Sequence, residues 1–232
     1  MTRTRRPSRP LVLGCLLAVL GLGLAACGDD AEPDSSSEST ASDESGSADA
    51  DLTEIDPVEG IAYPETPADG APVVELYTDF QCPSCEAFAS TYLDDLRTAA
   101  DDGRINLVFH QFAFLDRASS NQYSSRSANA AYCVFAEGGS TSYLDFYEAL
   151  FDDQPAEGTA GPGDDDLVEL AGTVGVTGID DCVSGGAYAD TVKDAADAAT
   201  DADVSGTPTV LIDGEVVDLA ELEQVFGELL AS

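Results

Sequence analysis

The stretch VVELYTDFQCPSCEAFA, Val73 to Ala89, constrains this chain more than any other. Its first half is an apolar, β-rich run with few breaks (Val73, Val74, Leu76, Tyr77, Phe80), which predicts a strand covered on both faces. Phe88, Tyr92 and Leu96 follow at helical spacing, and Gly103 marks the stop. Cys82 and Cys85 therefore fall where a strand hands over to a helix. The N-terminus of a helix carries about half a positive charge and free amide donors, and both favour an anionic sulfur. Pro83 suits the first helical position, where its missing N–H costs nothing. In this arrangement Cys82 is the attacking thiol, and Cys85, one turn in, is the partner that closes a ring with it.

What two such thiols do depends on the compartment. Arg3, Arg5, Arg6 and Arg9 precede the apolar run Leu11 to Leu24, which is short for a membrane span and has the length of a signal-peptide core. The run ends in LAAC, Leu24 to Cys27, which resembles the lipobox of bacterial lipoproteins. That likeness implies cleavage before Cys27 and a lipid anchor on it; an ordinary signal with an incidental Cys27 is the alternative. Residues 1–26 are thus read as a lipoprotein signal peptide. Residues 27–56 are acidic, Ser-rich and without an aromatic residue before Asp56, so they cannot bury enough apolar surface to order themselves and are expected to form a disordered tether. The whole chain has a formal charge of -36, and removal of the four leading arginines leaves five Lys and Arg against 45 Asp and Glu. Such a charge argues against a nucleic-acid partner.

A strand pattern returns at RINLVFHQFAF, and strand, helix, strand implies a right-handed parallel crossover. Residues 118–202 then change character: four helical patterns separated by Gly and Pro. Strand period reappears only at TPTVLIDGEVVDL, where Asp213-Gly214 signals a tight hairpin, and ELEQVFGELLA closes as an amphipathic helix. An α/β core, 57–117 and 203–232, is interrupted by a helical block.

Cys15 leaves with the signal, so Cys82, Cys85, Cys133 and Cys182 remain in the folded part, and four cysteines in an exported domain allow three pairings. A zinc site would use C-x-x-C as half of its ligand set, but the domain offers only the separated Cys133, Cys182 and His110 for the rest. A purely structural Cys82–Cys85 bridge is the other alternative, since export permits it.

The late segment VSGTPTVLIDG, Val204 to Gly214, argues against that alternative. Together with CPSC at a helix start it resembles the thioredoxin fold, whose late Thr-Pro loop carries a cis proline beside the active-site disulfide. YTDFQCPSC, AAYCVFAEGG, YLDFYEALFDD and VSGTPTVLIDG, in this order, are similar to the DsbA-like branch of that fold, in which a helical domain interrupts the core; the likeness runs from about Ala71 to Ala231. The resemblance implies an α/β thioredoxin-like fold with a central mixed sheet and an inserted helical domain. It further implies redox chemistry at Cys82 and Cys85, and a substrate groove shaped by Pro83, Ser84, Thr207 and Pro208. If the first pair is catalytic, Cys133 and Cys182 are joined across the insert as a structural staple, as in related proteins of Gram-positive bacteria.

Two positions depart from the family pattern. DsbA has histidine where Ser84 stands, and many members carry a buried acid six residues before the first cysteine, where this chain has Leu76. Glu75 points to the other face of an ideal strand and receives no role. His110 is assigned to ordinary packing, Tyr143, Phe146, Tyr147, Leu150 and Phe151 to the core, and Phe80 to the lining of a peptide groove. The expectation is an extracytoplasmic, lipid-anchored thiol-disulfide oxidoreductase that introduces disulfides into exported proteins. It is reoxidised by a membrane partner and needs no metal or organic cofactor beyond its own cysteine pair. A non-catalytic binding module, or a reductase or isomerase of the same fold, is the alternative.

Overall fold

The computed structural model describes residues 53–202 and 204–231. The signal segment, Cys15, the lipobox with Cys27 and most of the tether lie outside the described residues. Five strands form one sheet in the order β1-β3-β2-β4-β5: β1 Ile61–Tyr63, β2 Val73–Thr78, β3 Asn106–Gln111, β4 Thr209–Ile212 and β5 Glu215–Val216. Strand β2 is central, parallel to β3 (Leu76 opposite Phe109) and antiparallel to β4 (Leu76 opposite Val210). Its continuous apolar character follows: Val74 and Leu76 are fully buried on one face, while Tyr77 is buried on the other with Phe112, Val204 and Leu211. The sequence pattern did not foretell β1, because IAY is too short to show a period; it adds to the sheet edge antiparallel to β3.

Helix α1, Pro83–Asp101, begins at Cys82, whose extended backbone (φ -84, ψ 116) makes it the N-cap, with Pro83 at the first helical position. It buries Cys85, Phe88, Ala89, Leu93, Leu96, Ala99 and Ala100, a stripe at three- and four-residue spacing. It ends where Gly103 takes φ +70, so that its N–H reaches the Ala100 carbonyl and the Arg104 N–H reaches that of Ala99. The Asp213-Gly214 turn has both residues at positive φ (50 and 81), the mirror-image type that matches strand twist, and the Asp213 carboxylate also accepts the Val73 N–H at 2.9 Å.

The inserted block holds α2 Tyr123–Asp152, α3 Asp164–Thr173, α4 Asp180–Ser184 and α5 Ala189–Asp201, preceded by a 3₁₀ turn at Phe114–Arg117. Two of the four helical patterns read from the sequence run on as α2, broken only at Gly139 (φ 74, ψ -174). The helix restarts there because the Glu65 carboxylate accepts the Ser140 N–H at 2.8 Å, placing negative charge at a new helix start. Cys133 on α2 and Cys182 on α4 are joined by a disulfide, closing a loop of sequence separation 49. Helix α6, Leu222–Leu229, lays Phe226 against Phe88 and Tyr92 of α1.

Candidate active site

The two thiols are free in this structure and differ in access: Cys82 keeps 8 % of its surface exposed, Cys85 none. Pro83 and Ser84 between them are exposed, so the CPSC turn holds Cys82 just beneath the surface and turns Cys85 into the core. The Cys82 carbonyl accepts the N–H groups of Cys85 (3.0 Å) and Glu86 (3.2 Å), which starts the helix under the sulfur.

The peptide Thr207-Pro208 is cis, and it brings Thr207 against the pair. In the thiol form Cys82 Sγ donates to the Thr207 carbonyl oxygen at 3.4 Å. The Cys85 S–H hydrogen bond dominates, and against the opposing effect of burial the Thr207 side chain and the N–H groups of Cys85 and Ser84 add to it. Together they bring the Cys82 thiol down from 9.0 to about 6. Cys85 moves the other way. Burial pushes its thiol far above the ordinary value, and the neighbouring Cys82 sulfur adds to the rise, while a backbone hydrogen bond from Asp79 and the Thr207 side chain oppose it. One acidic sulfur with a little exposed surface is therefore paired with one fully buried, protonated sulfur. That division of labour is what thiol-disulfide exchange requires.

The loop before Cys82 is fastened to the inserted block by two glutamines. Gln154, just past α2, donates to the carbonyls of Phe80 (3.2 Å) and Cys82 (3.1 Å), and Gln81 donates back to the Thr159 carbonyl at 2.9 Å. Asp79, also in this loop, is a buried carboxylate whose pKa burial raises, although Ser124, Gln81 and Leu115 all donate to it. None of these three was read from the sequence. The one signal was the acid in TDFQC, directly after the apolar strand.

One expectation needs correcting. Phe80 does not line a groove: it is 1 % exposed and packs against Tyr147 and Phe151 of α2, where an aromatic ring gains more from burial than from water. His110 stacks on Tyr77 at 4.2 Å and meets Glu75 at 3.3 Å, on the sheet face away from Leu76. Burial lowers its pKa to about 4, so the ring is neutral near pH 7 and the contact with Glu75 is a hydrogen bond rather than an ion pair. Leu76 is fully buried, and the Tyr147 hydroxyl donates to Thr78 at 3.0 Å. Donors that a zinc site would add to Cys82 and Cys85 are engaged elsewhere: Cys133 and Cys182 bond each other, and His110 faces Glu75.

Comparison with known proteins agrees with this geometry. The family model Thioredoxin_4, described as thioredoxin, matches residues 68–230. The crystal structure of oxidised DsbA from Mycobacterium tuberculosis is similar with TM-score 0.62 and 34% identity, covering 72% of this chain and 89% of that one. The reduced form of the disulfide bond oxidoreductase DsbG from the same organism gives TM-score 0.62 and 34% identity, covering 72% and 84%. The serine/threonine-protein kinase PknE of M. tuberculosis is 36% identical over 154 residues, 62% of this chain; the chain spans only 27% of that protein's length. Fold, paired thiols and cis-proline loop thus agree with the family match, and the chain belongs to the thioredoxin family, in its DsbA-like branch.

Proposed function

We propose that the protein is an extracytoplasmic thiol-disulfide oxidoreductase that introduces disulfides into exported proteins. A client thiolate attacks Cys82 Sγ of the oxidised pair, the Cys82–Cys85 bond breaks, and its electron pair goes to Cys85 Sγ, which takes up a proton. A second client thiolate then attacks the client sulfur of the mixed disulfide, and Cys82 leaves as a thiolate. The client is oxidised by two electrons and the pair is reduced by two. The observation that carries this reading is the opposed acidity of the two sulfurs: Cys82, brought to about 6, is the better leaving group near neutral pH, so release of the oxidised client is favoured.

The exposed Pro83 and Ser84, and Thr207, whose carbonyl oxygen meets Cys82 Sγ at 3.4 Å and whose bond to Pro208 is cis, form the client groove in this reading, and the Cys133–Cys182 bridge is a structural staple. The reaction needs no metal or organic cofactor, only a membrane partner of higher potential that takes the two electrons back. Lipidation of Cys27 holds the domain at the outer side of the membrane by its tether. The similarity to solved DsbA and DsbG proteins supports exchange chemistry. With Ser84 where DsbA carries histidine, the Cys85 thiol, then Thr207 and the N–H groups at the helix start, are the groups that favour the Cys82 thiolate. The test is the oxidative refolding of a reduced, disulfide-dependent client by the oxidised protein. Acceleration by wild type and none by Cys82→Ser is expected. Equal activity in Cys82→Ser, or no acceleration by either, would leave a binding module with the same fold.

A further inference from the structure

Four of the five Lys and Arg side chains in the described residues stand against a carboxylate. Arg97 meets Asp145 at 2.7 Å, Arg104 meets Asp102 at 3.4 Å, Arg126 meets Asp164 at 2.6 Å and Lys193 meets Asp197 at 2.6 Å. Arg117 is the exception. Its guanidinium lies 3.7 Å from the centre of the Phe114 ring and, among the described residues, forms no ion pair and donates no hydrogen bond. The carboxylate beside it in sequence, Asp116, is turned to the start of α2, where it accepts the Ser125 N–H at 3.1 Å. In a chain with 45 acidic residues, an exposed guanidinium that none of them reaches is a cation held in reserve.

The place of Arg117 gives this a meaning. It closes the 3₁₀ turn Phe114–Arg117, which is fastened to the thiol loop on both sides of the arginine. Ahead of it, the Leu115 N–H donates to Asp79 Oδ2 at 2.9 Å, while the Asp79 carbonyl accepts the Cys82 N–H, also at 2.9 Å. Behind it, the Ser119 hydroxyl donates to the Thr159 carbonyl at 3.3 Å, the same oxygen that Gln81, next to Cys82, reaches at 2.9 Å. The turn also abuts the cis-proline segment. Phe114 stacks on Phe112 with centroids 5.9 Å apart, and both pack in the cluster of Tyr77, Leu211 and Val204, the last of which leads into Thr207. The unpaired cation is therefore fixed between the two segments that meet at Cys82.

We propose that Arg117 is a specificity-determining residue: with Phe114 behind it, its guanidinium receives the carboxylate of an Asp or Glu side chain that lies within a few residues of the client's reactive cysteine. A guanidinium presents a planar fork of N–H donors that fits a carboxylate through two parallel bonds, and a ring against the group shields it from water while leaving that fork free. The remaining surface supplies the contrast. Five basic residues against 45 acidic ones repel acidic segments in general, and Glu86 adds a carboxylate in the first turn of α1. An acidic client segment is thus accepted only where it is in register with Arg117, so the cation selects position as well as charge. The role rests on the exchange reaction proposed above and names the class of client that this site favours.

The test uses the oxidised full chain and reduced single-cysteine peptides, with acid quenching and mass detection of the opened protein. Each peptide carries one glutamate, placed in turn at every position within four residues of the cysteine, and is paired with the same peptide carrying glutamine. The ratio of opening rates, glutamate over glutamine, cancels effects common to both peptides. At one or two positions this ratio is expected to be about fivefold higher in wild type than in Arg117→Gln. Arg117→Lys should fall between them, since it keeps the charge and loses the fork. The difference should narrow as salt is raised. Equal ratios in wild type and Arg117→Gln at every position overturn the proposal. So does an equal fall in the rates of both members of every pair, which is what a merely structural hold on Phe114 would give. Should no peptide open the wild-type disulfide, it is the exchange reaction that fails. Binding of the same peptides with serine for cysteine, read by fluorescence anisotropy, then decides Arg117, and the absence of a glutamate preference that depends on it overturns the proposal.

Discussion

The acidity of Cys82 can be taken apart by removing Cys85. The largest cause of the low thiol pKa, about 6, is the hydrogen bond from the Cys85 thiol; the Thr207 side chain and the N–H groups of residues 84 and 85 follow. A hydrogen bond to a charged group contributes roughly 1.5–3 kcal/mol, and 1.36 kcal/mol corresponds to about one pKa unit. Cys85→Ala should therefore raise the Cys82 pKa by about one to two units, to roughly 7–8, with the backbone donors and Thr207 keeping it below an ordinary thiol. Iodoacetamide alkylation of the reduced protein from pH 4 to pH 10, read by mass spectrometry on the Cys82 peptide, measures this directly. Cys133 and Cys182 are bonded and do not interfere. A variant that still titrates near 6 would show that Cys85 is not the donor. One that titrates as an unperturbed thiol would show that the helix start and Thr207 contribute nothing.

Two further outcomes follow from the same structure. The depressed Cys82 pKa stabilises the folded reduced protein fully above pH 9 and loses that contribution as the pH falls through 6. At pH 7 the contribution is at most about 1.4 kcal/mol, trimmed by water at the sulfur, and by pH 5 it is gone. The oxidised protein lacks this group, so denaturant unfolding of both forms should show the reduced form losing about 1 kcal/mol relative to the oxidised between pH 7 and pH 5; a constant difference would refute it. The Cys133–Cys182 bridge closes a loop of sequence separation 49, for which chain entropy predicts roughly 4 kcal/mol. Replacing both cysteines by alanine should lower the unfolding free energy by up to that amount and leave the Cys82 pKa unchanged; a shift of a full unit would mean that the bridge also tunes the site.

The thiol pair was legible because three local rules coincide at CPSC: an apolar strand, a proline tolerated at a first helical position, and an apolar stripe beyond it. The hairpin at Asp213-Gly214 and the glycine stop at Gly103 were legible for a similar reason, since each depends on residues adjacent in sequence. Contacts between distant segments were not. Gln154 reaches Cys82 across 72 residues, and Ser124 reaches Asp79 across 45, with no periodic signal in either. Phe80 shows the limit from the other side. Its place next to the thiols suggested a groove, but the inserted helices cover it, and only tertiary packing could tell a lining residue from a core residue. Leu76 is buried, as the strand pattern implied, and the buried carboxylate of the loop that follows is Asp79, which no periodic signal marked.

Electron flow toward this protein is the claim on which the proposed function depends. Equilibration of the Cys82–Cys85 pair with glutathione at pH 7 gives its reduction potential, and known pairs span about -270 mV for thioredoxin to -120 mV for DsbA. The stabilised Cys82 thiolate predicts a value clearly above that of thioredoxin, toward the DsbA end. A potential at or below about -270 mV would make the protein a reductant and contradict the account.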